Sequence, residues 1–165
     1  MNQKTKIKRN LEDKSITVSR EFKAPLELVW RAYTEEEFLN QWWGPSPWRV
    51  ETKSMDFREG GYWHYAMVGP ENQRHWARMN YIKINKHKKF DMEDLFCDET
   101  GNIDGKLPTS KGEAIFTKTE SGTNVDFKLK YPTQEALNQI IEMGFEQGIS
   151  QCSDQLEVLL SKLVK

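Results

Sequence analysis

"TQEALNQIIEMGFEQGISQCSDQLEVLLSKLV", residues 133–164, is the longest run with helical periodicity in the chain. Leu137, Ile140, Ile141, Phe145, Ile149, Cys152, Leu156, Leu159, Leu160 and Leu163 recur at three- and four-residue steps, which lines them along one face of an α-helix. Thr133 suits the first cap, Glu135 complements the dipole there, and Lys162 and Lys165 suit the opposite end. Gly144 and Gly148 fall on or beside the apolar stripe, although a glycine inside a helix costs about 1 kcal/mol relative to alanine. Either the segment breaks near Gly144 into a short and a long helix, or the helix faces a space that must stay open; close packing of a strand against a glycine is the plainer alternative.

Upstream of this segment the sequence changes period. Residues 15–22 alternate, with Ile16, Val18 and Phe22 on one face, as in a half-buried strand. Pro25 opens a helix carrying Leu26, Val29, Trp30 and Tyr33, and Thr34 with Glu37 reads as a capping box for a second one that ends at Gly44-Pro45. Six further strands are predicted, at residues 48–57, 62–68, 74–84, 90–97, 113–119 and 124–131, separated by turn signals. Short connections imply an antiparallel meander, and its apolar face needs the C-terminal helix as a cover. The expected fold is α+β, helix-grip: a curved antiparallel sheet of about seven strands wrapped on a long C-terminal helix, with two short helices after strand one. Residues 13–165 form a single domain in this scheme, and the basic residues Lys4, Lys6, Lys8 and Arg9 mark residues 1–12 as a disordered tail.

Composition narrows the function. A net charge of −1, from 24 basic and 25 acidic residues, supplies no field to recruit nucleic acid. No apolar run approaches the roughly 18 residues of a membrane span, and MNQKTKIKRN lacks a signal-peptide core, so the expected location is cytoplasmic. Cys97 and Cys152 have no zinc-type spacing and read as reduced thiols. No catalytic motif is recognisable, no cofactor is implied, and His64, His75 and His87 are not placed to share a metal.

Tryptophan placement points to a ligand. With the loop at residues 69–72 closed symmetrically, Tyr65 would face Trp76 and Trp63 would face Arg78, with Met67 on the same side, so one hairpin face is aromatic with a cation in it. Trp42, Trp43 and Trp48 bracket the Gly44-Pro45-Ser46-Pro47 turn near the expected mouth. The expected ligand-contacting set is therefore Trp42, Trp43, Trp48, Trp63, Tyr65, Met67, Trp76, Arg78, Met143, Gly144 and Gly148; simple burial in a core is the competing account for the tryptophans. Arg58 is expected to pair with Asp56 or to cap a turn.

The stretches REFKAPLELVWRAYTEEEFLNQWWGP (20–45), DFREGGYWHYAM (56–67), SGTNVDF (121–127) and MGFEQGISQCSDQLEVLL (143–160) together resemble the family named for the activator of the 90-kDa heat-shock chaperone's ATPase. That family lies within the START-like, birch-pollen-allergen-like (SRPBCC) superfamily. The resemblance implies a cavity between sheet and helix that takes a small hydrophobic or aromatic molecule, of lipid or polyketide type, in a monomer or weak dimer without membrane insertion. It also implies two alternatives: a cyclase- or hydrolase-type enzyme using the same cavity, and a co-chaperone-like partner of the 90-kDa chaperone. Fold alone does not decide among them.

Overall fold

The computed structural model describes residues 5–164. The chain runs β1 (Lys6–Asn10), β2 (Ser15–Phe22), α1 (Leu26–Thr34), α2 (Glu36–Trp42), β3 (Arg49–Met55), β4 (Tyr62–Val68), β5 (Arg74–Asn85), β6 (Lys89–Cys97), β7 (Ser110–Lys118), β8 (Thr123–Lys130), α3 (Gln134–Glu142) and α4 (Phe145–Leu163). All eight strands form one antiparallel sheet in the order β1-β2-β8-β7-β6-β5-β4-β3. This is the helix-grip architecture, with one strand more than expected.

The additional strand is β1, drawn from the stretch expected to be a disordered tail. Ile7 pairs with Val18 and Arg9 with Ile16, so backbone hydrogen bonding to the edge of β2 orders a segment whose side chains are mostly exposed. Exposed basic residues are what an edge strand tolerates, which is why composition hid it. Met1 to Lys4 and Lys165 lie outside the described residues.

The C-terminal segment does break. Thr133 caps α3 by accepting from Ala136 N at 3.0 Å, and Gly144, at φ +90°, turns the chain in the left-handed region before α4 begins. The Thr34 capping box does not form: Thr34 ends α1, and its hydroxyl donates back to the Trp30 carbonyl at 2.8 Å, while Glu35 stands at the start of α2 without a side-chain cap. Gly44 is required by contact, because a Cβ there would sit 2.8 Å from the Arg49 backbone.

The core lies between the concave sheet face and the helices. One end is packed solid with rings: Trp30 meets Phe57, Phe90 and Phe116 edge-on at 4.9–6.0 Å. Helix α4 packs chiefly against α2, and also meets β2, α3 and α1. It is pinned to the 44–47 turn by Gln155, which donates to the carbonyls of Trp42 and Gly44, and by Gln151, which donates to that of Ser46.

Candidate functional site

The hairpin β4–β5 decides which side chains face the helix. Val68 pairs with Arg74, and Gly69 N donates to Gln73 O at 2.9 Å, so the loop is the three residues Pro70, Glu71 and Asn72, with Asn72 at φ +64°. A three-residue loop ending in a left-handed residue is a standard hairpin closure. It shifts the pairing by one residue from a symmetric four-residue loop, and a one-residue shift moves one strand's partners to the opposite face. Trp63 therefore pairs with Met79 and Tyr65 with Ala77, whereas Trp76 pairs with Ala66 and Arg78 with His64.

Two residues expected in the pocket are thereby placed outside it. Trp76 and Arg78 sit on the convex face: the Trp76 ring lies 5.1 Å from His64, and the Arg78 guanidinium stacks 4.1 Å over Tyr62 and donates to Asn80 at 2.7 Å. A third, Met143, is 52% exposed at the α3–α4 joint and contributes nothing to an enclosed wall. His64 shares the convex face with Trp76, and its Nε2 lies 3.1 Å from the Asp98 carbonyl oxygen, while the His75 ring packs against Trp48 at 5.4 Å and that of His87 against Trp30 at 5.8 Å.

The remaining aromatic residues do gather on the concave face, but as packed rings. Trp63 stacks on Tyr65 at 4.0 Å, Trp43 meets Trp63 at 5.7 Å and Trp42 at 5.2 Å, and Trp42 and Trp63 are each 1% exposed. Their polar atoms are satisfied internally: Trp42 Nε1 donates to Ala32 O, Trp63 Nε1 to Thr52 Oγ1, and Trp43 Nε1 to Tyr65 Oη at 3.1 Å. Trp42, Trp63 and Tyr65 are core, while the partly buried Trp43 packs at its edge. Gly148 has space beside it, the nearest neighbour of a Cβ there being Pro45 at 3.9 Å, so no strand packs against it.

Beyond this edge the concave face changes character. Met67, Phe96, Ile141, Phe145 and Ile149 pack against the core yet stay only half-buried. Among them is a residue that aromatic clustering did not flag. The register carries Phe90, Met92, Asp94 and Phe96 to the concave side, Asp94 pairing with Met79 on β5 and Ser110 on β7. Asp94 is surrounded by protein, which raises its carboxyl from the usual range to about 7, although part of the residue remains uncovered. Tyr65 and Tyr131 lie within its electrostatic reach, and burial pushes both phenols upward. An open surface pocket of about 400 Å³ lies at the adjoining rim, lined by Glu93, Thr109, Ser110, Lys111, Lys130, Tyr131 and Pro132, and it does not include Asp94. The register thus brings a carboxyl, Asp94, to the face where the cation of Arg78 was expected. Its signal was an acidic residue in the apolar register of a strand.

Cys152 faces this region from α4, but its thiol donates to the Trp43 carbonyl and burial pushes it up to about 12, so it is a packed thiol and not a nucleophile. Arg58 pairs with Asp56 at 2.6 Å on the surface. Among the described residues no helix is long and apolar enough to cross a membrane.

Proteins of known structure share this fold. A protein of Mycobacterium smegmatis, solved by crystallography, is 30% identical and superposes with a TM-score of 0.88 over 94% of this chain and 96% of its own. A Staphylococcus epidermidis protein solved by NMR is 27% identical, with a TM-score of 0.83 over 96% and 95% of the two chains. One from Arthrobacter aurescens, 24% identical, superposes at 0.89 over 95% of this chain and 91% of that one, and shows the shared fold. No curated protein matches significantly. The family model described as "Activator of Hsp90 ATPase homolog 1-like protein" matches residues 23–161, and with it the expectation from the four quoted motifs is met: the chain belongs to that family, within the SRPBCC superfamily.

Proposed function

We propose that this protein binds a small hydrophobic or aromatic molecule between the concave sheet face and the α3–α4 segment, acting in the cytoplasm as a monomer or weak dimer. The carrying observation is the contrast within one face: solid ring packing around Trp30 and Trp63 gives way to the half-buried group Met67, Phe96, Ile141, Phe145 and Ile149. Apolar surface left partly uncovered inside a fold gains free energy, at about 25 cal/mol per Å², when a ligand covers it. Pockets of a few hundred Å³ lined mainly by apolar groups are the usual form of such sites.

The test is a titration by tryptophan fluorescence with a flavonoid, a fatty acid and a polyketide-like aromatic, repeated on Phe96→Ala, Ile149→Trp and Trp76→Ala. Binding should weaken in the first two variants and persist in the third, whose ring is on the convex face. Equal binding by all three variants would place the site elsewhere.

The closed packing of Trp42, Trp63 and Tyr65 favours, as a second reading, a protein partner of the kind the family's description names. Calorimetry with purified 90-kDa heat-shock chaperone tests it, and absence of heat at micromolar concentrations would remove it.

A further inference from the structure

The rim pocket of about 400 Å³ lies where β7 begins, at Ser110, and β8 ends, at Lys130. Pairing of the two strands stops at Lys111 and Lys130, and Pro132 has no N–H with which to extend a ladder, so the space beyond is left uncovered. The buried Tyr131 and Ser110 form its inner wall, Pro132 and Thr109 flank it, and Lys111 and Lys130 bring methylene stems as well as charge. None of these residues belongs to the half-buried group Met67, Phe96, Ile141, Phe145 and Ile149, so this is a separate place in the fold.

Its charges are unbalanced. Lys111 and Lys130 are direct cross-strand partners, and like charges placed opposite one another destabilise a sheet. Asp13 offsets Lys130 at 3.2 Å, but the same carboxylate also holds Lys128 at 3.1 Å. On its other side Lys111 is in register with Glu93, the one acidic residue of the lining. Among the described residues no carboxylate forms an ion pair with the Lys111 ammonium. The pocket thus sets two cations against one anion beside apolar surface, and a negative charge held between Lys111 and Lys130 turns their repulsion into attraction.

We propose that this pocket takes a small amphiphilic anion, an apolar or aromatic body bearing one carboxylate, with Lys111 as its principal charge contact and Lys130 as the second. The body of the ligand covers Tyr131 and Pro132, and its carboxylate lies on the side of the two exposed lysines. Because water reaches those ammonium groups, the charge contributes a few-fold selectivity and is screened by salt. Glu93 opposes the ligand's charge and weakens binding. This site is additional to the concave-face reading, and either can fail alone.

The experiment compares 1-naphthaleneacetate with the neutral 1-naphthaleneethanol, by calorimetry on the full chain at about pH 7.5, where the carboxylate is ionised. The proteins are the unsubstituted chain, Lys111→Gln, Glu93→Gln and Lys118→Gln; the last removes one positive charge at the far end of β7. At about 0.02 M salt the unsubstituted protein should prefer the anion by about fivefold, the scale of one ion pair at a partly exposed site, and the preference should shrink at about 0.3 M. Lys111→Gln should bind the alcohol as before and lose most of the preference. Glu93→Gln should bind the anion more tightly, by about twofold or more, and Lys118→Gln should match the unsubstituted protein. Equal binding of the two probes, a preference that survives Lys111→Gln, or an equal loss in Lys118→Gln overturns the rim site and leaves the concave-face reading untouched. Binding of neither probe, with all four proteins folded by circular dichroism, overturns the rim site as well.

Discussion

The rings of Trp63 and Tyr65 stack at a centroid separation of 4.0 Å, 24° from parallel, on the concave face of β4. They are alternate residues on one strand face, and Trp43 closes on both, edge-on to the first and hydrogen-bonded to the second. Trp63→Ala should therefore act on stability first. Emptying a buried tryptophan site costs about 3–5 kcal/mol, and urea denaturation should show a loss of that size. A loss below about 1 kcal/mol would mean that the ring lines open space instead.

Gly144 and Gly148 lie four residues apart and should respond with opposite signs. Gly144 holds φ +90°, so Gly144→Ala forces a left-handed alanine and should cost about 1 kcal/mol. Gly148 is inside α4 with only Pro45 at 3.9 Å from a would-be Cβ, so Gly148→Ala should stabilise by up to about 1 kcal/mol. Paired thermal melts check both, and a stabilising Gly144→Ala would contradict the break.

The contrast between these glycines also shows what could be read before the structure. The periodicity of residues 133–164 specified the helical cover, and two glycines in it specified a break or an opening; the break falls at the first and the free space at the second. Element types elsewhere were legible because alternation and 3.6-residue spacing are local. The β4–β5 register was not, because it depends on Asn72 taking a left-handed conformation, and that single choice sent Trp76 and Arg78 to the convex face. β1 was hidden because its pairing is made by backbone, which leaves no mark on side-chain composition. Asp94 was legible in principle, as the one charged residue in the series Phe90, Met92, Asp94, Phe96, but only a fixed register shows that series to face inward.

Arg20 ties α4 to β2. Its guanidinium is 3% exposed and reaches Asp154 and Glu157, which are 71% and 38% exposed at their side chains. Removing the cation leaves two carboxylates that water can serve, so the cost falls below that of breaking a fully buried pair. Much of what remains is packing of the arginine stem. Arg20→Met should thus cost about 1 kcal/mol and Arg20→Ala about 2–3 kcal/mol, read from urea midpoints. Equal losses in the two variants would assign the whole contribution to the ion pair.

The buried Asp94 carboxyl makes stability depend on pH in an unusual direction. In the unfolded chain it ionises near the ordinary aspartate value of about 4. In the folded protein, burial holds the proton until about 7. Below about pH 4 both states are protonated and the group is neutral toward stability. As pH rises from there to about 7 the unfolded chain releases the proton and the folded one does not, so stability falls, by an amount on the order of a few kcal/mol. Above that range the penalty is constant. Asp98 works the other way: hydrogen bonds from Asn102 and Thr100 hold it at about 2, so its contribution is present above about pH 4 and disappears only as pH falls toward 2. The interval from about pH 5 to pH 8 therefore isolates Asp94 from Asp98. The melting temperature should decline across that interval, and Asp94→Asn, which keeps the shape and removes the ionisation, should flatten the decline and melt higher at about pH 8. A parallel decline in Asp94→Asn would show that another group sets the slope.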